Sequence, residues 1–280
     1  MIGHPIGHSI SPDMHNAALS EMAEGDAAFR EWKYFRFDIP PDRLSEAIPL
    51  FHSHGFRGIN LTLPHKVRVL DLLKEIDPVA RRMMAVNTLN WQPEGYYGYN
   101  SDGFGLSRAL ESDLGATLAD ESVIILGAGG AARAAAVQCL ECGCRELWIG
   151  NRSVSRLKEM ISALNEQKNF NRIKGFDLAE IPMELPASGI LINATSLGLK
   201  EEDPSPIDLN RFDCSLKVFD MIYSPLRTTL MKNAEERGVQ TANGFSMLVW
   251  QGFRSMEIWS QTKVPVEAMF AAARRAVSDS

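Results

Sequence analysis

Four apolar residues, Val123-Ile124-Ile125-Leu126, run straight into Gly127-Ala128-Gly129-Gly130, and the glycines open into the alanine-rich stretch Ala131-Ala132-Arg133-Ala134. A strand, a glycine turn and a helix in immediate succession form the context that a dinucleotide-binding fingerprint requires. Gly127 permits the tight turn, and Gly129 leaves bare backbone against which a pyrophosphate can lie. Ala132 lets the helix pack closely on its strand. The free N–H groups at the helix start, together with the positive end of its dipole, suit phosphates. The bland alternative is a buried strand-turn-helix with no ligand.

The next segment bears on which dinucleotide. The helix is expected to run to Glu141, Gly143 marks the turn, and Glu146-Leu147-Trp148-Ile149-Gly150 reads as the second strand. An NAD enzyme usually carries Asp or Glu at the end of that strand, accepting hydrogen bonds from the ribose hydroxyls. Here the chain reads Asn151-Arg152-Ser153-Val154-Ser155-Arg156. No carboxylate stands there to repel a 2′-phosphate. Two guanidinium groups and two hydroxyls can receive one through charge-assisted hydrogen bonds. Ser153 also suits a plain helix N-cap, and the two roles are compatible. The residues favour NADP over NAD.

Strand-like runs continue to alternate with helices beyond this point. Arg172 to Phe176, Gly189 to Ala194, Leu216 to Met221 and Val239 to Ala242 bring the strands to six. Helices are expected over Ser155 to Glu166 and Thr229 to Arg237. Six strands with crossover helices make an α/β fold, a doubly wound parallel sheet of the Rossmann type. The first hundred residues also alternate but lack a nucleotide fingerprint, and they read as a second α/β domain. Ser11 before Pro12 reads as an N-cap and first-turn proline, opening a helix to Glu24 that stops at Gly25. Tyr34 to Ile39, Gly58 to Leu63, Val86 to Trp91 and Tyr96 to Asn100 read as strands. Asp42 to Ser53 and Val67 to Ile76 read as helices. The expected division is a substrate-binding domain over 1–103, completed by C-terminal helices over 245–280, and a nucleotide domain over 104–244.

Composition narrows the partners. The 280 residues are 45% hydrophobic with a net charge of −6, and no broad basic stripe is offered to nucleic acid or an anionic membrane. No apolar run approaches the roughly 20 residues that span a bilayer, and no charged-then-apolar leader precedes the first motif, so cytoplasm is the expected compartment. Cys139, Cys142 and Cys144 crowd the end of the fingerprint helix, but no ligand follows at zinc-site spacing. With Cys214 they read as reduced structural cysteines, and no metal is expected.

Four polar clusters in the first hundred residues form a second constellation. They are His8-Ser9-Ile10-Ser11-Pro12, Asn60-Leu61-Thr62-Leu63-Pro64-His65-Lys66, Ala85-Val86-Asn87-Thr88 and Gly98-Tyr99-Asn100-Ser101-Asp102-Gly103. Asn60 and Thr62 lie two apart on an expected strand and so share a face. Hydroxyls, amides, one lysine and one carboxylate suit a small ligand bearing several hydroxyls and a carboxylate. Each cluster also has a bland reading as turn, cap or solvated surface. Their joint occurrence carries the weight.

Taken in order, these clusters resemble the shikimate dehydrogenase family over nearly the whole chain. The likeness continues through Asn193-Ala194-Thr195-Ser196-Leu197-Gly198, Asp220-Met221-Ile222-Tyr223-Ser224-Pro225, Gly244-Phe245-Ser246-Met247-Leu248 and Gln251. It implies reversible reduction of 3-dehydroshikimate to shikimate by NADPH, by a monomer or homodimer. It implies that Lys66 and Asp102 form the catalytic pair and that Ser9, Ser11, Asn60, Thr62, Asn87, Tyr223 and Gln251 contact substrate. Gly127, Ala128, Gly129, Gly130, Ala131, Asn151, Arg152, Ser153, Arg156, Met221 and Gly244 would contact NADP. A quinate/shikimate dehydrogenase using NAD and a non-catalytic metabolite sensor on the same fold are the alternatives. The chain departs from the family's pattern in three places. It starts at Met1-Ile2-Gly3, so either the start is truncated or the first strand is very short. Met84 stands where the family usually has Gly, so the local turn is expected to differ. Ser101 and Ser153 replace the commoner threonines, which keeps a hydroxyl.

Overall fold

The computed structural model describes residues 1–167 and 172–278; Asp279 and Ser280, at the end of the expected C-terminal helices, lie outside them. The chain divides into two compact units, 1–105 with 248–280, and 106–247.

The first unit begins with β1 (Ile2–Gly3), α1 (Ser11–Gly25) and β2 (Phe37–Asp38). α2 (Leu44–Ser53), β3 (Gly58–Asn60), α3 (His65–Arg68), β4 (Glu75–Ile76), α4 (Pro78–Met83), β5 (Thr88–Gln92) and β6 (Gly95–Tyr99) follow. β1 pairs in parallel with β2, and the remaining strands form a sheet in the order β3-β5-β6-β4. Its core is built from Ile2, Leu44, Ile48, Ile59, Leu61, Val69, Val86, Leu89 and Tyr96.

Three expectations about this unit need correcting. The strand read over Tyr34 to Ile39 is only two residues, because its partner β1 offers only Ile2 and Gly3 to pair with. The helix read over Val67 to Ile76 does not form. α3 stops at Arg68, a short 3-10 turn covers Leu70–Leu72, and Glu75–Ile76 pairs in parallel with Tyr97–Gly98. Backbone pairing along the sheet edge overrides the local helical pattern there. Ser11 is not the cap of α1 either. Ile10 holds the N-cap position without a side-chain cap, and Ser11 is already inside the helix.

Met84 explains its own departure. It follows α4 in the left-handed conformation, φ 52° and ψ 35°, the place where a helix commonly ends on glycine.

α5 (Asp102–Leu114) leads into the second unit, which contains β7 (Ser122–Leu126), α6 (Gly130–Glu141), β8 (Glu146–Asn151), α7 (Val154–Gln167) and β9 (Ile173–Asp177). β10 (Ile190–Asn193), β11 (Lys217–Asp220), α8 (Thr229–Glu236) and β12 (Gln240–Asn243) complete it. All six strands are parallel, in the order β12-β11-β10-β7-β8-β9. This is the doubly wound order, and β7 and β10 flank the point where the winding reverses. Every residue of β7 is buried, as a strand covered on both faces requires.

Two helices end the described chain, α9 (Phe245–Ser260) and α10 (Val266–Ser278). α10 packs against α1 within the first unit. Among the described residues no helix is long and apolar enough to cross a membrane.

Candidate active site

In the first unit, Lys66 projects from the four-residue α3. Its turn is pinned on both sides: His65 Nε2 meets the Ile39 carbonyl at 2.8 Å, and the Lys66 carbonyl accepts the Val86 N–H. Lys66 Nζ donates to Asp102 Oδ2 at 2.7 Å, with both side chains partly open to solvent. Asp102 opens α5, and its own N–H donates to Asn100 Oδ1. Its second oxygen, Oδ1, accepts from Asn87 Nδ2 at 2.8 Å. The carboxylate thus presents one oxygen to a cation and the other to an amide.

Asn87 itself is buried. Its Oδ1 accepts the Ser101 N–H and the Thr88 hydroxyl, both at 2.8 Å, and its amide donates to Ser101 Oγ and Asp102. Both amide hydrogens are therefore engaged within the protein, one of them on Asp102. Asn60, expected to touch a ligand, is 4% exposed. Its Oδ1 accepts from Tyr34, and its amide faces the Asn87 carbonyl, Thr88 and Ser255. Its amide hydrogens and one lone pair of its oxygen are thus matched within the core.

Ser9, Ser11 and Thr62 lie outside this bonded set, around β1 and the start of α1. Ser9 Oγ accepts from the Ser11 N–H and meets Met1 Sδ, while the Thr62 N–H donates to the Ile2 carbonyl. Gln251, on α9, turns its amide back to the Leu248 carbonyl at 2.8 Å.

In the second unit, β7 ends at the glycine turn. Gly127 has φ 113°, and a Cβ there would lie 2.9 Å from the Ala194 carbonyl oxygen. Nothing lies within 4 Å of where a Cβ would sit on Gly129 or Gly130. The backbone before α6 is bare on that side, and the first N–H with an intrahelical acceptor is that of Arg133, bonded to Gly129. At the end of β8, Asn151 Nδ2 donates to the Ser153 carbonyl, which also accepts the Leu157 N–H and opens α7. Arg152 and Arg156 are exposed and bond to no described residue. An open phosphate cradle beside two uncommitted guanidiniums fits a dinucleotide with a 2′-phosphate.

Asp220, at the end of β11, organises the loop that follows. Its Oδ1 accepts from Asn193 and the Ile222 N–H, and its Oδ2 accepts from Thr228, which caps α8. Burial raises its pKa, and these hydrogen bonds oppose that rise. The loop so held carries Met221 and Tyr223, and burial raises the Tyr223 phenol as well. Gly244 must be glycine, since a Cβ would collide with the Met221 carbonyl oxygen.

Tyr34 and Ser255 were not legible as parts of this site. Ser255 had one available signal: it lies four residues beyond Gln251 and so on the same helix face. Tyr34 had none.

A doubly wound nucleotide fold and a lysine–carboxylate pair define the class as a nucleotide-dependent oxidoreductase. Three family descriptions match the chain: the shikimate dehydrogenase substrate binding domain over residues 1–89, shikimate / quinate 5-dehydrogenase over 109–199, and the shikimate 5′-dehydrogenase C-terminal domain over 244–274. A shikimate dehydrogenase (NADP(+)) of Geobacter metallireducens is 38% identical over 95% of this chain and 91% of its own. A crystal structure of a shikimate dehydrogenase in complex with NADP+ superposes with a TM-score of 0.88, at 33% identity, over 98% of this chain and 93% of that one. A quinate dehydrogenase from Corynebacterium glutamicum in complex with NAD gives 0.86 at 28% identity, over 98% and 97%. The chain belongs to the shikimate dehydrogenase family.

Proposed function

We propose that this chain interconverts shikimate and 3-dehydroshikimate with NADP(H), using Lys66 and Asp102 as its proton-transfer pair. The observation that carries this reading is the 2.7 Å bond between Lys66 Nζ and Asp102 Oδ2, with Asn87 on the other oxygen. Bound NADPH supplies the hydride that the carbonyl carbon receives. Lys66 gives a proton from its ammonium to the carbonyl oxygen as that oxygen becomes a hydroxyl, and in the reverse direction its amine takes the hydroxyl proton. The positive charge also stabilises the developing alkoxide. Asp102 holds the lysine and accepts a substrate hydroxyl.

Ser9 and Ser11 are assigned to the substrate carboxylate, and Asn60, Thr62, Asn87, Tyr223 and Gln251 to the rest of the substrate. Residues 127–131, Asn151, Arg152, Ser153, Arg156, Met221 and Gly244 are assigned to NADP. The assigned setting is the cytoplasm, as a monomer or homodimer.

Incubating the pure protein with NADP and shikimate, and following nicotinamide absorbance, tests the reading. Reduction of NADP with shikimate is the expected result, whereas faster reduction of NAD with quinate would select the rival. No signal with either pair would leave a sensor. Arg152→Ala is expected to weaken NADP selectively, by about 1.5–3 kcal/mol for one charged hydrogen bond, with much less effect on NAD. The ratio of kcat/KM for the two cofactors reads this out, and equal losses would mean that Arg152 only packs.

A further inference from the structure

Behind Asp102 lies a buried file of polar side chains in which the direction of each hydrogen bond can be assigned. Two amides anchor it. Asn87 Oδ1 faces the Ser101 N–H at 2.8 Å, a donor that cannot reverse, so the NH2 end of Asn87 must face Asp102. Asn60 Nδ2 faces the Asn87 carbonyl at 3.1 Å, an acceptor that cannot reverse, so Asn60 Oδ1 must take the Tyr34 hydroxyl proton at 2.7 Å.

Between the amides, each hydroxyl has a single proton to give. Thr88 Oγ1 lies 2.8 Å from Asn87 Oδ1, a carbonyl oxygen, so Thr88 donates there. Thr88 Oγ1 also lies 2.8 Å from Ser255 Oγ. With the threonine proton already committed, that contact is a hydrogen bond only if Ser255 is the donor. Ser255 in turn accepts from Asn60 Nδ2 at 2.8 Å. Two acceptors compete for its proton, the Gln251 carbonyl in its own helix at 3.0 Å and Ser101 Oγ at 3.2 Å, both farther than Thr88. Ser101 Oγ, 3.2 Å from Ser255 Oγ, accepts from Asn87 and stands beside this path.

We propose that Ser255 is a positioning residue for proton transfer: it gives its proton to Thr88 and completes a one-way file, Tyr34 to Asn60 to Ser255 to Thr88 to Asn87 to Asp102. Every donor in the file points toward the carboxylate that holds Lys66. Hydrogen bonds aligned head to tail strengthen one another in a low-dielectric interior. The file locks the Asn87 amide and, through it, the Asp102 rotamer that meets Lys66. Had Ser255 given its proton to Gln251, Thr88 would have to turn toward Ser255, and Asn87 Oδ1 would lose a donor. The inference rests on the reading of Lys66 and Asp102 as the proton-transfer pair.

Ser255→Ala, Thr88→Val, the double variant and Thr88→Ser test it, by steady-state kinetics with shikimate and NADP well below each variant's unfolding midpoint. Ser255→Ala and Thr88→Val are each expected to lower kcat about three- to tenfold, the loss of one hydrogen bond, while the KM for NADP holds. The double variant should be no slower than Thr88→Val alone, because both break one file. Thr88→Ser, which keeps the hydroxyl, should restore most of the turnover. A Ser255→Ala variant that only melts earlier, at unchanged kcat, would reduce Ser255 to a tether for α9 and overturn the proposal. Losses that multiply in the double variant would overturn it too. A wild type that does not oxidise shikimate would remove the reading beneath the file, and the file with it.

Discussion

Lys66 reaches its partner from a helix of only four residues, and its side chain is partly open to water. Little of the core depends on it, so Lys66→Ala should keep its fold while turnover at saturating substrate falls by about 10²- to 10⁴-fold, the usual contribution of a general acid–base group. Circular dichroism and kcat measured on the same preparation check both halves, and near-normal turnover would take Lys66 out of the chemistry. Met84 makes the opposite case, a residue the fold tolerates at a cost. An L-residue in the left-handed region loses roughly 1–2 kcal/mol, of which glycine would give back part through its freer unfolded chain. Met84→Gly should therefore stabilise the protein by about 0.5–1 kcal/mol, seen as a raised denaturation midpoint at unchanged slope. A lower midpoint would mean that the methionine side chain contributes more than its backbone costs.

At the scale of elements, the turn between β7 and α6 is where packing and binding meet. Gly127 has a positive φ and backbone within 3 Å of any Cβ. Gly127→Ala should cost about 1–3 kcal/mol of stability through local strain, and it should weaken NADP as the turn shifts the N-terminus of α6. Urea denaturation with a parallel cofactor titration reads both effects, and a loss of affinity without loss of stability would show that the turn can absorb a methyl. The four inner strands of this unit, β7, β8, β10 and β11, were legible as short, largely buried apolar runs bounded by turn residues, whereas the edge strands β9 and β12 are polar and partly exposed. The two-residue strands β1 and β4 were not legible, and β2 was read four residues too long. A pairing of two residues has no periodicity, and its length is set by what the partner strand offers.

For the molecule as a whole, the clearest pH lever is His15. It is fully buried, its ring stacks on Tyr34 at 4.0 Å, and its Nδ1 donates to the Ser11 carbonyl. Burial lowers its pKa from 6.5 to about 4, although the bond to Ser11 favours the charged form. The folded chain keeps this histidine neutral while the unfolded chain binds a proton below pH 6.5. Its contribution is complete above that pH and is lost as the pH falls toward 4, by up to about 3 kcal/mol. Asp220 works in the opposite sense: its raised pKa makes the folded chain hold a proton more tightly, a contribution lost as pH rises through that value. Comparing wild type with His15→Gln isolates the histidine. Denaturation free energy should fall less steeply from pH 6.5 to 4 in the variant, and parallel slopes would show that His15 does not titrate with unfolding.

Lys66 and Asp102 were paired only through the family resemblance, while the sequence by itself determined the two α/β halves, the parallel six-stranded sheet and the phosphate turn. Each of these is written in consecutive residues, where period, glycine and cap act over a few positions. Only the tertiary structure decided that Asn60 faces inward, that Ser11 lies inside its helix and that Ser255 stands behind Asp102. A buried polar group takes its partners from wherever the chain folds back. Asn60 and Ser255 meet at 2.8 Å across 195 positions. Desolvation makes each such group find a donor or acceptor, and only the packed core settles which one it finds.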